Sequence, residues 1–376
     1  MKKLLCVLMV TAVLLCGCST RVKPQIDISE KYYYMPTAVT FDNGSRGETL
    51  ARFNVENGRI TPLCPDPLCD HGTECPFFGV VNYTVDGDII WFRRYMIDEN
   101  TDYICQYDIS NGKLRTLAKY EDDGYSYAFK FGYLWKYFSH NDPTDNDLSV
   151  RISLSEENFD DPEKIDPSKI PFAQVGDIYY YAVRGAFNSP ATEVRAMYTD
   201  LTDDWRVADD VFSMNFTYYN GYVYYIEKEA LMRVSVDEAI TGVPVNTKEP
   251  VKDNVGAFFF SDDMLYYLQN EGADAEVIGW DEFLEEEVKN TYGGKIWRAN
   301  PDGSKAKVFT ETDGYVISKS MLSNAQVGSR LVVWYGCWKE KQRDGETLKA
   351  WRAAEGGLLV VNLDDGTYEA YSVFDE

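Results

Sequence analysis

Apolar and polar positions alternate in short runs along most of the chain, and turn dipeptides punctuate them. The clearest instance is 294–309, where two alternating runs flank Asp302-Gly303. Period-2 patterning on both sides of an Asp-Gly predicts a β-hairpin, with Gly303 free to take positive φ. Looser copies recur. Seven apolar runs, at 35–41, 89–92, 133–138, 178–183, 222–226, 264–268 and 331–335, stand about 44 residues apart in the middle of the chain. Second runs follow at 49–55, 103–109, 148–154, 194–199, 230–236, 295–300 and 357–363. Many units add a third run after a Gly turn, as in Asn57-Gly58, Asn111-Gly112 and Asp365-Gly366, and several have a run before the first turn, such as 80–85 before Asp86-Gly87.

Four short strands per unit and seven units predict an all-β fold, a seven-bladed β-propeller. One such sheet cannot bury both its faces, whereas radial stacking buries them and leaves only short edges. Two facing sheets in a sandwich are the competing arrangement. The copy at 296–309, in which Ile296-Trp297-Arg298 leads into Asn300-Pro301-Asp302-Gly303-Ser304, resembles the repeats of TolB-type and low-density-lipoprotein-receptor-like propellers. That resemblance covers about 32–373 and implies fold rather than activity.

With strands numbered outward from the central channel, second-to-third loops and blade-to-blade connections open on one face. The short Asp-Gly and Asn-Gly turns open on the other. The long segments therefore share a face, the expected place for binding. Two of them show helical spacing. In 276–291, Val277, Trp280, Phe283, Leu284 and Val288 are so spaced and the rest is acidic. In 338–354, Trp338, Leu348 and Trp351 accompany Lys339, Lys341, Arg343, Lys349 and Arg352. Short helical insertions in the late blades are the expectation, neighbours on one face, with Trp280, Phe283, Trp338 and Trp351 as ligand-face aromatics.

The first 18 residues read as a targeting segment: Lys2 and Lys3 precede an apolar run at 4–15 that is short for a membrane span. Leu15-Cys16-Gly17-Cys18 resembles a bacterial lipoprotein signal, which implies lipidation at Cys18; an ordinary secretory signal is the alternative. A polar tether at 19–31 leads to the propeller at 32–376. These features predict a protein on the extracytoplasmic face of the cell membrane, touching lipid only through its anchor. The formal charge of −24 excludes a general nucleic-acid binder. Aromatics make up 15% of the chain, with 28 Tyr, as suits strand-rich, half-wet surfaces.

The densest chemistry lies in 63–77, between the first and second units. Cys64, Cys69, His71 and Cys75 fall within twelve positions there, in a chain that has only two His. Three thiolates and an imidazole are the ligand set of a closed tetrahedral zinc site, and iron takes similar ligands. Pro65, Pro67 and Pro76 stiffen the segment. A disulfide is equally open, because Cys64, Cys69, Cys75, Cys105 and Cys337 are an odd set of five after Cys18 and the expected compartment is oxidising. The order Cys-x-Asp-Pro-x-Cys-x-His followed by Cys-Pro-Phe resembles a signature of uncharacterised clostridial-type propeller lipoproteins, which implies no particular activity. His140 sits among Asp142, Asp145 and Asp147, a spacing that could grip calcium but lacks the Gly and Glu of the helix-loop-helix loop.

Gly-x-Ser-x-Gly, phosphate loops and His-Glu-x-x-His are all missing from the sequence. The residues favour a binding or scaffold module for a protein, peptide or glycan. A carbohydrate-active hydrolase or lyase using carboxylates at the propeller mouth is the alternative.

Overall fold

The computed structural model describes residues 31–40, 46–66, 68–121, 125–138, 149–155, 162–184, 189–236, 247–270, 277–281, 286–289, 294–312, 316–317, 326–343 and 346–372. At 38–40, 46–48, 138, 277–281, 286–289, 316, 336–343 and 346–356 only the backbone is described. The targeting segment, Cys18, all of the tether but Lys31, the His140 cluster and Phe283 lie outside these residues.

Seven antiparallel sheets form a β-propeller, and each takes its strands in chain order. Blade 1 holds Tyr32–Thr40, Arg46–Asn54 and Ile60–Pro62. Blade 2 holds Val80–Asp86, Ile89–Met96, Thr101–Asp108 and Lys113–Glu121. Blade 3 runs from Tyr125–Lys130 to Glu163–Lys164, blade 4 from Pro171–Val175 to Asp204–Ser213, blade 5 from Phe216–Tyr219 to Glu249–Lys252, and blade 6 from Val255–Ser261 to Lys307–Glu311. Blade 7 pairs the long strands Arg330–Arg343 and Glu346–Asn362, with Tyr368–Ser372 outermost. Its innermost strand comes in two pieces, Val316–Ile317 and Gln326–Val327.

Six of the seven leading apolar runs are second strands, the run of blade 1 lying in Tyr32–Thr40, and consecutive aromatics point to opposite faces. Tyr225 packs toward blade 4 and Tyr224 toward blade 6. In Met264–Gln269, Tyr267 faces blade 5 while Tyr266 faces blade 7. Each interface between blades is thus built from side chains of both neighbours, and the core is a ring of such clusters.

Ring closure uses packing. Blade 1 has three described strands, so Tyr32–Thr40 is its innermost, and blade 7 completes itself from the C-terminal segment. Among the described residues no strand is exchanged between them. Met35, Phe53 and Val55 of blade 1 share one cluster with Leu331, Val333 and Leu359 of blade 7. Phe53 meets Tyr371 edge-on at 5.4 Å between centroids. At the free inner edge, the Tyr83 hydroxyl donates to the Tyr34 carbonyl at 2.6 Å.

The two expected helical insertions are β-structure instead. Val277–Asp281 and Glu286–Lys289 form a hairpin between the second and third strands of blade 6. The 338–354 stretch is the outer part of the long blade 7 hairpin, with Trp338 opposite Trp351. The physical reason is cross-strand. The register sets Glu340 opposite Lys349 and Arg343 opposite Glu346, opposite charges that favour pairing, around an Asp344-Gly345 of the type that turns hairpins. Apolar residues three and four apart also fit a strand when β-branched and aromatic types dominate. The two hairpins are neighbours on one face as expected, since backbone of Val277–Asp281 comes within 8 Å of Glu346–Asn362.

Where blades 3 and 4 meet, a hydrogen bond crosses between them beside ion pairs within each blade and to their connection. Arg151, 3% exposed, pairs with Glu163 and donates to the Thr199 carbonyl at 2.6 Å. Asp204 accepts from Lys169 Nζ at 2.6 Å, from Tyr181 at 2.8 Å and from Arg195. Burial alone would raise the Asp204 pKa, but these donors outweigh it and hold the carboxyl well below the usual range.

At Gly303, φ is +79° and an added Cβ would run into the Val251 carbonyl of blade 5. Gly132 has φ +77° but open space around it. Gly132→Ala should therefore cost about 1 kcal/mol in conformational strain alone. Gly303→Ala should cost clearly more, measured as the shift in urea midpoint; equal costs would refute the close approach. A depressed carboxylate pKa adds stability above its unfolded value, about 3.9, that is lost as pH falls through the folded value. Asp204→Asn should lower stability at pH 7 and flatten the acid loss below about pH 4, read from urea titrations at stepped pH.

Candidate metal centre

The segment between blades 1 and 2 is pinned at both ends. Leu63 donates its amide to the Leu50 carbonyl at 3.1 Å, and Leu50 donates to the Phe77 carbonyl at 3.2 Å. Thr49 and Phe78 form an isolated antiparallel bridge. From blade 2, Arg94 Nη2 donates to the Thr73 carbonyl at 2.9 Å. Phe77, 1% exposed, plugs the loop into the core, stacking on Phe92 at 5.7 Å and meeting Tyr107 edge-on at 5.0 Å.

Within that frame the loop folds on short polar turns. Asp66 Oδ1 accepts from the Leu68 amide at 2.9 Å, and Asp70 Oδ1 accepts from the Gly72 amide at 2.9 Å. Cys69 and Cys75 close turns onto the carbonyls of Asp66 and Gly72. His71 takes φ 57°, a left-handed conformation that His tolerates better than most residues.

These turns bring Cys64, Cys69, His71 and Cys75 together. One ligand atom from each lies within 4.8 Å of all the others, and Cys75 Sγ is 3.8 Å from His71 Nδ1. A tetrahedral ion with bonds of about 2.3 Å to sulfur needs sulfurs about 3.8 Å apart. The group thus has nearly the required size, and it is the one His/Cys/Asp/Glu cluster of this kind among the described residues. It could hold a metal ion.

A second shell accompanies the sulfurs. The His71 amide donates to Cys69 Sγ at 3.3 Å, and the nearby Asp66 and Phe77 backbone favours the thiolate at Cys64 and Cys75. Such donors favour the thiolate, and orienting groups of this kind are typical around metal ligands. Pro65 and Pro76 directly follow Cys64 and Cys75 and set the local φ. Burial works the other way: it pushes the Cys75 thiol up to about 12 and raises Cys64 as well. A partly buried cluster of three sulfurs and an imidazole, with an amide donating to one sulfur, has a place for a cation.

The disulfide reading fares differently. Cys64, Cys69, Cys75 and Cys105 are all free thiols. Cys105 is buried in the same core, its Sγ 3.9 Å from Thr116 Oγ1, and burial raises its pKa to about 11. Cys337 is described by backbone only. The backbone around the sulfurs and the Phe77 plug escaped sequence reasoning, although Cys-Pro at 64–65 and 75–76 was a readable signal for them. The four ligand-face aromatics are not gathered into a site by the described residues: Trp280 pairs in register with Glu287, Trp338 with Trp351, and Phe283 is not described.

No protein-family model matches the chain, and no curated protein matches its sequence. Solved structures do match its fold. The β-propeller domain of the Trilobed protease from Pyrococcus furiosus aligns with TM-score 0.50 at 10% identity, over 92% of this chain and 96% of that one. An uncharacterized protein from Listeria monocytogenes aligns with TM-score 0.53 at 11% identity, over 91% of each chain. An acylaminoacyl peptidase from Pyrococcus horikoshii aligns with TM-score 0.50 at 11% identity, over 90% of this chain and 50% of that one. At such identities the likeness shows the fold alone.

Truncating the plug tests how the centre is held. Phe77→Ala should cost about 3–5 kcal/mol in urea unfolding, as for a large buried aromatic. It should also release the loop, with Cys75 becoming reactive to a thiol reagent under native conditions. Protection of Cys75 in a folded variant would count against the plug.

Proposed function

We propose that this chain is a lipid-anchored, extracytoplasmic binding or scaffold module whose blade 1–blade 2 loop holds one structural zinc ion. The observation that carries the zinc is the convergence of Cys64, Cys69, His71 and Cys75, with the His71 amide donating to Cys69. Three thiolates and an imidazole fill a tetrahedral shell and leave no open position, which suits a structural ion rather than a catalytic one. Zinc is favoured over iron because it prefers closed tetrahedral thiolate–imidazole sites and needs no redox partner. Lipidation at Cys18 would hold the propeller at the membrane surface.

Binding rather than hydrolysis is supported by the described carboxylates. Where their pKa is displaced, as at Glu99, Asp108, Asp204 and Asp302, it is displaced downward by hydrogen bonds and cations. A glycosidase acid requires the opposite shift. The working surface is the face that carries the metal loop and the two late hairpins. Trp338 and Trp351 are offered as its aromatic anchors for a glycan or peptide.

Purified protein should carry one equivalent of zinc by elemental analysis, and Cys64→Ser should lose it while Cys105→Ala keeps it. Absence of any metal from a folded protein that also refuses added zinc would end the zinc reading. For the surface, a panel of glycans, peptidoglycan fragments and peptides should yield a ligand. Its affinity should fall at least about tenfold in the Trp338→Ala, Trp351→Ala double variant. Unchanged affinity would move the binding surface elsewhere.

A further inference from the structure

The four ligands of the metal loop are not equally held. Cys75 is 1% exposed and sits in the same core as Phe77, Phe92 and Tyr107. His71 reaches it from the next turn at 3.8 Å. Cys64 and Cys69 are only half-buried, on the outer side of the cluster. The chain between them ends in Leu68, which is 91% exposed. Cys64 and Cys69 are partly buried against that core, whereas Cys75 is one of its fully buried members. The Cys64 and Cys69 sulfurs already lie within 4.8 Å of each other, and a disulfide needs about 2.05 Å.

From this asymmetry we infer that the centre is a redox-operated metal-release switch, in which hydrogen peroxide joins Cys64 to Cys69 and frees the zinc. The inference rests on the zinc reading above and adds regulation to that same site. In the step, the two zinc-bound thiolates lose two electrons as the Sγ–Sγ bond forms. The peroxide O–O bond takes those electrons and breaks, and with two protons gives two water molecules. Cys75 and His71 remain, and two ligands are too few to retain zinc. The metal leaves as the hydrated ion. Blade 1 then loses a cross-link to blade 2 in the blade that has only three described strands. Cys105, 3% exposed and outside the ligand group, is the built-in control because the same oxidant should pass it by.

The test uses the full chain loaded with zinc and treated with equimolar peroxide. A chromogenic chelator follows released zinc. Differential alkylation with tandem mass spectrometry shows which cysteines have been lost. The expected result is one zinc released per chain as Cys64 and Cys69 become protected together, with Cys75 and Cys105 still alkylated as free thiols. Dithiothreitol and added zinc should restore the starting state. Zinc retained at excess peroxide, or released with a bond that includes Cys75, would overturn the switch while leaving the structural zinc standing. A folded protein that takes up no zinc would overturn the zinc reading, and the switch with it.

Discussion

Each blade of this propeller is too small to keep either of its faces dry, and the fold depends on the neighbouring blade to cover them. The second strands show how this is met. In Tyr222–Glu227 and Met264–Gln269, successive tyrosines turn to opposite sides, so one strand feeds two interfaces at once. Burying an aromatic ring contributes about 1.5–3 kcal/mol, and a well-placed ring pair about 0.5–1.5 more. The cost is visible too. The Tyr225 and Tyr267 hydroxyls are buried with no hydrogen-bond partner among the described residues, a penalty of about 1–3 kcal/mol each. Ring burial and hydroxyl desolvation thus come close to cancelling at these two positions. Rings whose hydroxyls find acceptors, such as Tyr224 on the Pro301 carbonyl, keep the whole gain.

The same two-sided burial explains why the architecture was legible in the sequence. A strand covered on both faces reads as a continuous apolar run, and a half-wet partner as an alternation. Six of the seven leading runs fall within second strands, and that of blade 1 falls in its innermost described strand, apart from a residue or so at the ends. The loop faces follow from antiparallel order alone. The late insertions misled for a physical reason. Val277, Trp280 and Val288, or Trp338, Leu348 and Trp351, satisfy helical spacing, but spacing says nothing of cross-strand partners. Opposed charges around Asp344-Gly345 decided the matter, and they become visible only when two segments are aligned antiparallel. At the metal loop, ligand identity was legible from composition, whereas the choice between metal and disulfide was not. What the sequence did not display is the set of turns that gathers the four ligand atoms, since such turns depend on backbone direction as well as on residue type.

Ring closure and the metal loop draw on one shared shortage. A propeller that closes by exchanging a strand gains ladder hydrogen bonds across its seam. Here blade 7 is complete in itself, and blade 1 meets it through Met35, Phe53, Val55 and Tyr371. Pro36 lies on the innermost described strand of blade 1, a position that suits an edge because proline has no amide to donate. The Tyr83 hydroxyl takes up a carbonyl that an inner strand would otherwise bond. Blade 1 is the one blade with only three described strands. The polar fastening denied to it at the seam with blade 7 is concentrated at its other flank. There the Leu50, Leu63 and Phe77 backbone bonds and the Cys/His loop tie it to blade 2. An ion that binds only the folded loop stabilises it by mass action and needs no further buried surface. Held there, an ion would fasten the blade of three described strands to its neighbour.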